Sequence, residues 1–270
     1  MVGEHDLYVR ARRILLDALE ALEPHRDGIV LVGAQAVYFH AGEADVAVAP
    51  FTTDADMALD PANLGAYPTI DTAMRNGGFN PTNQPGHWVK SDIPVDLMVP
   101  EALAGKGSRS ADLGVHGRTV ARRARGLEGA LVDKRVQEIP SLEATDSRKI
   151  RVAVAGPGAL LVAKLYKISE RTNQPGRLPD KDSLDILRLL RGVPSALLVE
   201  RLLLLKHDEL SRETTVAAIG FLRNLFGNRT GVGALAAARA LERLEDLNTV
   251  TASCEALVEE LMARLIDSTE

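Results

Sequence analysis

Residues 51–61 read FTTDADMALDP, a stretch that predicts a strand with one apolar and one acidic face. Its threonines and apolar residues, closed by a proline, predict a strand over 52–60, in which successive side chains point to opposite faces. Met57 then lies on an apolar face, while Asp54 and Asp56 lie together on the other. Because like charges this close repel each other, the two aspartates either face open water or hold a cation.

The composition indicates a globular protein without a general affinity for polyanions. The chain has 270 residues, of which 46% are hydrophobic, and its net charge is −5. This length suits one large domain or two of ordinary size, and the apolar content supports a core. A single cysteine, Cys254, excludes an internal disulfide and a cysteine-rich zinc site, which fits a reducing compartment.

The sequence shows neither a signal peptide nor a membrane span. Its first residues, MVGEHDLYVRARR, contain no apolar core of the kind that a signal peptide has. The densest apolar run, ALLVERLLLLKH at 196–207, is interrupted by charges and is shorter than the roughly 20 residues that cross a bilayer. We therefore expect a soluble, cytoplasmic protein with no membrane partner.

Hydrophobic periodicity and turn residues predict the elements of the first half. They are helices over 5–23 and 34–40, and strands at 29–32, 52–60, 87–91, 93–100 and 149–154. Gly33 is the turn between the first strand and its helix. Asp60-Pro61 predicts the cap and first turn of another helix, which ends near Gly77-Gly78. The pattern between 107 and 129 assigns no clear element.

The second half is helical in pattern. After Gly156-Pro157, the predicted helices cover 157–172, 180–191, 194–206, 213–226, 230–244 and 249–266. Strands thus come first and helices afterwards, which is typical of an α+β protein with a helical domain behind its sheet. We place the boundary after residue 155, so that the predicted domains are 1–155 and 156–270.

Three features with chemical potential follow one another along the predicted sheet. Gly33-Ala34 forms a strand-to-helix turn, whose backbone N–H groups are a natural seat for phosphate oxygens. Asp54 and Asp56 carry the hard oxygen ligands that divalent cations prefer, and Asp96 on a later strand would complete a three-carboxylate cluster. Two metals there would activate an attacking oxygen and neutralise a leaving pyrophosphate. That is the chemistry of nucleotidyl transfer.

This order of motifs is similar to that of nucleotidyltransferases of the DNA polymerase beta superfamily, and it most resembles their AbiEii/AbiGii-type toxin family. The segments LVGAQAVYFHAG and TTDADMALDP match the family's first motif. The second motif is matched within LLVAKLYKISERTNQPGRLPDKDSLDILRLL by Lys164-Leu165, Arg171, Lys181-Asp182 and Asp185. The resemblance covers about residues 28–190.

The resemblance implies a polymerase-beta-like nucleotidyltransferase domain, with a mixed β-sheet flanked by helices, followed by an all-helical C-terminal domain. It implies that Asp54 and Asp56 bind Mg²⁺, with Mn²⁺ as the alternative metal. Asp96 would bind one metal and receive the proton of the attacking hydroxyl, and Lys164 would act in catalysis by neutralising the triphosphate. The residues implied in binding the nucleoside triphosphate are Gly33, Ala34, Thr53, Lys164, Arg171, Lys181, Asp182 and Asp185.

The resemblance also implies partners. As the toxin of a toxin–antitoxin pair, the protein would transfer a nucleoside monophosphate to RNA, such as the 3′ end of a tRNA, and would have a cognate antitoxin. A basic segment, which contains Arg118, Arg122, Arg123 and Arg125, is the candidate contact for the RNA backbone. The chain departs from the superfamily at Ala34, where serine is frequent, so a hydroxyl that would reach a phosphate is absent.

Other interpretations stay open. A degenerate nucleotidyltransferase-like module would bind nucleotides or proteins without catalysis. A glycosyltransferase would also use Asp-x-Asp to hold a metal and a nucleotide diphosphate, although this does not explain Asp96. Taken singly, Asp60 is explained as a helix cap, and Lys164 as a surface lysine with its stem on apolar surface. Asp182 and Asp185 lie three residues apart on a helix, so they would orient a lysine.

Overall fold

A computed structural model describes residues 4–42, 52–172, 180–242 and 244–268. The chain divides into two compact units. The first consists of Met1–Ala36 and Pro50–Ala155, and the second of Val37–Ala49 and Gly156–Glu270. The division differs from a single cut after residue 155 because the segment Val37–Ala49 is assigned to the second unit.

The first unit is built on a mixed β-sheet. Its strands are β1 (Ile29–Val32), β2 (Ala55–Leu59), β3 (Asn80–Pro81), β4 (His87–Lys90), β5 (Ile93–Pro100), β6 (Arg122–Ala124), β7 (Lys134–Pro140) and β8 (Lys149–Ala155). Their order is β3-β4-β5-β2-β1-β8-β7, and β6 pairs with β5. Strand β2, at the centre of the sheet, runs antiparallel to β1 and parallel to β5, so the sheet is mixed.

The centre of the sheet is its most buried part. All residues of β1 and β2 are buried, whereas both residues of the edge strand β3 are exposed. Helix α1 (Glu4–Ala21) packs against β2, β5 and β8, and α3 (Ile70–Asn76) packs against α1. Helix α2 (Gly33–Ala41) follows β1 without an intervening loop. Burial on both faces explains why the central strands read as apolar runs.

A two-residue turn joins β4 to β5 and fixes their register. Ser91 and Asp92 both have positive φ, at 51° and 63°, as a type I′ turn requires. Lys90 consequently pairs with Ile93, and the antiparallel pairing continues outward to His87 and Asp96.

Two sequence predictions near Asp60 are wrong in extent. Strand β2 begins at Ala55, so Asp54 precedes the strand rather than lying in it. Asp60 does cap a turn, accepting a hydrogen bond from the Ala62 N–H at 3.1 Å, but the turn is a three-residue 3-10 helix. The predicted long helix is absent from 64–69 because Pro68 disfavours helical backbone just before it, and α3 begins only after the Thr69 cap.

The second unit is helical. Its helices are α4 (Pro157–Thr172), α5 (Asp180–Gly192), α6 (Ser195–His207), α7 (Arg212–Phe226), α8 (Val232–Leu241) and α9 (Leu247–Asp267). The six predicted helices of this region are confirmed to within a few residues at each end. The protein is thus α+β, with a mixed sheet flanked by helices and a helical C-terminal region. None of the described helices has the length and apolar character needed to traverse a membrane.

Candidate carboxylate site at the β1–α2 turn

Backbone register brings two of the predicted aspartates side by side. Asp56 on β2 is the Cα partner of Asp96 on β5 and of Val32 on β1. Asp96 is in turn the partner of His87 on β4. Residues paired across neighbouring strands project to the same face of a sheet. His87, Asp96 and Asp56 therefore form one row that leads to the end of β1, where α2 begins.

Gly33 lies at the end of this row, in the turn between β1 and α2. Its φ of +72° is in the left-handed region that favours glycine. A Cβ built on Gly33 would lie only 2.1 Å from Asp56 Oδ2 and 2.7 Å from Asp56 Cβ. The Asp56 side chain, which is 9% exposed, thus lies directly against the glycine backbone at the start of α2. Glycine is required at residue 33 both by its φ and by the closeness of this carboxylate.

We expect Gly33→Ala to destabilise the first unit and to displace Asp56. Left-handed backbone costs a non-glycine residue about 1–2 kcal/mol, and the clash with the carboxylate adds to this. Chemical denaturation should show a loss of about 2 kcal/mol or more. Gly114→Ala is the matched control, because Gly114 lies in the same unit and has positive φ, at 58°, but no described atom lies within 4 Å of a Cβ built on it. Equal losses in the two variants would show that the carboxylate contact is unimportant.

Both carboxylate oxygens of Asp96 have partners. His87 Nδ1 lies 2.7 Å from Oδ1, and Arg122 Nη2 lies 3.4 Å from Oδ2. All three side chains are partly exposed. The sequence alone indicated neither contact, since His87 carries no motif of its own and Arg122 was predicted only as an RNA contact.

Asp54 is held differently from the other two aspartates. Its side chain accepts a short hydrogen bond from the Thr52 hydroxyl, and its backbone carbonyl accepts one from Gln35 Nε2 at 3.0 Å. Thr53, between them, is half-buried. Gln35 itself is 1% exposed and lies in the first turn of α2. The segment that enters β2 is thus tied to α2 through a buried amide.

A buried arginine completes the support of Gln35. Arg12 Nε donates to Gln35 Oε1 at 2.8 Å, and the same guanidinium donates to the Pro140 carbonyl at 3.1 Å. Burial lowers the pKa of Arg12, while the neighbouring Tyr8 raises it. The relay from Arg12 through Gln35 to Asp54 was not visible in the sequence, because Arg12 and Gln35 lie on two different helices, α1 and α2, and their pairing has no local signature.

The described residues contain a carboxylate pair rather than a three-carboxylate cluster. Within the ranges that the structure describes, no three His, Cys, Asp or Glu side chains come together in a way that could hold a metal ion. Asp56 and Asp96 nevertheless fit a divalent cation, because Mg²⁺ is commonly held by one or two carboxylates together with substrate phosphates and water. The pair also adjoins the N-terminal turn of α2, which favours phosphate oxygens.

In the second unit, the residues of the second motif form a buried ion cluster. Lys164 Nζ donates to Asp182 Oδ1 at 2.9 Å and to Asp185 Oδ2 at 2.7 Å, and the lysine is 5% exposed. Burial opposes the charge of Lys164, but Asp185 and Asp182 outweigh it and raise the pKa of this lysine. Lys164 is therefore not a surface lysine. Its ammonium is held by two carboxylates, and its expected role at a triphosphate stays a prediction.

Other cations of α4 and α5 surround the same carboxylates. Arg171 makes a short ion pair with Asp182, and Lys167 Nζ lies 3.3 Å from the same aspartate. Burial would raise the pKa of Asp182, but Lys164 and Lys167 hold it below its usual range. Lys181, at the start of α5, is exposed. Lys167 and Arg171 are only partly buried. Because three cations share the single carboxylate of Asp182, this end of the cluster presents positive charge.

The charge of the basic segment in the first unit is largely compensated by acidic residues. Arg118 pairs with Asp112 at 2.7 Å, and Arg122 pairs with Asp96. Arg123 and Arg125 both pair with Glu101, at 3.7 and 3.4 Å respectively. Each of the four arginines thus has a carboxylate partner, but Arg123 and Arg125 share one, so four positive charges face three negative ones. Contact between this segment and RNA stays a prediction.

Comparison of the chain with models of known protein families, with curated proteins and with solved structures finds no match. The interpretation of the site therefore depends on its own residues and geometry.

Proposed function

We propose that the protein is a metal-dependent nucleotidyltransferase whose site is the row formed by Asp56 and Asp96 at the β1–α2 turn. The observation that carries the proposal is the contact between Gly33 and the Asp56 carboxylate, with Asp96 in register beside it. A triphosphate bound by the N–H groups of this turn would lie next to both carboxylates. No other cluster in the described ranges combines a turn that can bind phosphate through backbone N–H groups with adjacent acidic side chains.

Each residue of the site would have a separate role in the reaction. Asp56 and Asp96 would hold Mg²⁺ or Mn²⁺, which when bound supplies the charge that activates an attacking hydroxyl and neutralises pyrophosphate. The backbone N–H groups at Gly33 and Ala34 would orient the phosphates. The backbone of Asp54 is held by Gln35, and its side chain would add a further carboxylate to the site just before β2. Asp96 is the candidate acceptor for the proton of the attacking hydroxyl.

The proposed acceptor is RNA, such as the 3′ end of a tRNA, and the proposed setting is a toxin with a cognate antitoxin. Both come from the resemblance of the two motifs to the AbiEii/AbiGii-type family. In the second unit, Lys167 and Arg171 support anion binding. They are partly exposed, and they share the one carboxylate of Asp182 with Lys164, so that carboxylate does not neutralise all three cations. Lys181 is an exposed cation at the start of the same helix, α5.

A degenerate nucleotidyltransferase-like module is the second candidate. It is favoured by Asp96, whose two oxygens are both engaged by basic side chains, and by the absence of a hydroxyl at Ala34. Such a module would bind a nucleotide at the turn without transferring it.

A labelling experiment separates the two candidates. Purified protein would be incubated with Mg²⁺, RNA that includes tRNA, and each of the four nucleoside triphosphates, labelled at the α- or the γ-phosphate. A nucleotidyltransferase leaves the α-label on the acceptor and releases the γ-label as pyrophosphate. If no α-label reaches RNA or protein while a triphosphate still raises the melting temperature, the binding module is favoured.

A further inference from the structure

A histidine at the edge of the carboxylate row has no role in the mechanism described above. His87 Nδ1 lies 2.7 Å from Asp96 Oδ1. An ionised carboxylate only accepts hydrogen bonds, so Nδ1 carries the proton and donates it. On the other side, Arg122 Nη2 lies 3.4 Å from Asp96 Oδ2, which is long for a hydrogen bond between two charged groups. The histidine is thus the closer of the two partners.

The hairpin gives His87 little freedom to leave this position. The two-residue turn at Ser91 and Asp92 fixes its pairing with Asp96. The next residue, Trp88, points to the opposite face, where it is 1% exposed and donates its indole N–H to the Val120 carbonyl at 3.0 Å. Strand β4 is therefore anchored on one face while it presents His87 to Asp96 on the other.

We infer that His87 is a positioning residue that holds the Asp96 carboxylate ready to share a divalent cation with Asp56. The inference depends on the proposed function, because it assigns the cation to this carboxylate pair. Hydrogen bonds from outer residues to a metal-binding carboxylate orient it and raise affinity for the metal. Arg122 has the opposite effect, because its positive charge occupies Asp96 and competes with a cation.

Binding of Mn²⁺ to the full-length protein tests this inference without relying on activity. Electron paramagnetic resonance of free Mn²⁺ would be measured for wild type, His87→Ala, His87→Asn, His87→Gln and Arg122→Met. We expect His87→Ala to weaken binding about 10- to 100-fold. An asparagine amide places an N–H near the position of Nδ1, whereas a glutamine amide places it near Nε2. His87→Asn should therefore retain most of the affinity, and His87→Gln should behave like His87→Ala.

Each variant tests a different part of the inference. Arg122→Met should leave the affinity unchanged or raise it, and thermal unfolding checks that every variant is folded. If His87→Ala fails to fold, the asparagine and glutamine variants decide the question. Wild-type affinity in His87→Ala, or equal affinities in the Asn and Gln variants, would overturn the role of His87 alone. If wild type itself binds no Mn²⁺, the metal site of the proposed function fails together with this inference.

Discussion

Replacing Asp56 by asparagine is expected to reduce nucleotidyl transfer by about a thousand-fold or more. An amide holds Mg²⁺ far less well than a carboxylate does, and loss of a metal clamp raises the barrier by several kcal/mol. Each 1.36 kcal/mol corresponds to roughly a tenfold change in rate. The measurement is single-turnover transfer of α-labelled nucleotide at saturating triphosphate.

Stability distinguishes this loss from simple unfolding. Asp56 and Asp96 are in register, so removing one charge removes repulsion between them. The metal-free Asp56→Asn protein should therefore unfold at the same temperature as wild type or at a higher one. Asp60→Asn is the matched control, because Asp60 caps an exposed turn and asparagine also serves as a cap. If Asp56→Asn transfers nucleotide as fast as wild type, the reaction takes place elsewhere in the chain.

Replacing Lys164 by methionine is expected to destabilise the second unit by about 3 kcal/mol, the lower end of the usual cost of removing one partner from a buried ion pair, because other cations stay beside both aspartates. Asp182 and Asp185 would lose their shared ammonium, and the fully buried Asp185 would be left with the Arg188 guanidinium at 3.3 Å. Methionine keeps the length of the aliphatic stem, so little packing is lost. Chemical denaturation monitored by circular dichroism would measure the effect.

Lys167→Met provides a close comparison for this variant. Lys167 lies on the same helix and approaches the same Asp182, at 3.3 Å, but its side chain is 39% exposed. A solvent-exposed ion pair contributes about 0–1 kcal/mol, so this variant should be nearly as stable as wild type. Similar stabilities for the two variants would contradict the structural role that we assign to Lys164.

The pattern of apolar residues predicted most of the fold because those residues lie in continuous core elements. The runs at 29–32 and 149–154, and the six C-terminal helices, each bury at least one face. The helix predicted after Asp60-Pro61 ends near Gly77 as expected, but it begins only at Ile70, because Pro68 disfavours helical backbone just before it. Strands β6 and β7 were missed because β6 is short and most of β7 lies at the exposed edge of the sheet.

The candidate site was only partly predictable from the sequence. Spacing identified Gly33, Asp56 and Asp96, because a strand end and a strand-to-helix turn are local features. The partners of Asp96 depend on strand register. The strands predicted at 87–91 and 93–100 leave room only for a short turn around Ser91 and Asp92, and such a turn places His87 opposite Asp96. Burial of Lys164 could not be read from α4 alone, because its carboxylate partners lie on a different helix, α5.

The most direct test of the proposed site is a crystal structure of the wild-type protein with Mn²⁺ and a non-hydrolysable nucleoside triphosphate analogue. The anomalous signal of Mn²⁺ locates the metal independently of the phosphates. We expect an anomalous peak that contacts the carboxylates of Asp56 and Asp96, with phosphate oxygens at the backbone N–H groups of Gly33 and Ala34. A peak away from both aspartates, or a nucleotide bound elsewhere, would contradict the assignment of this turn as the site of nucleotidyl transfer.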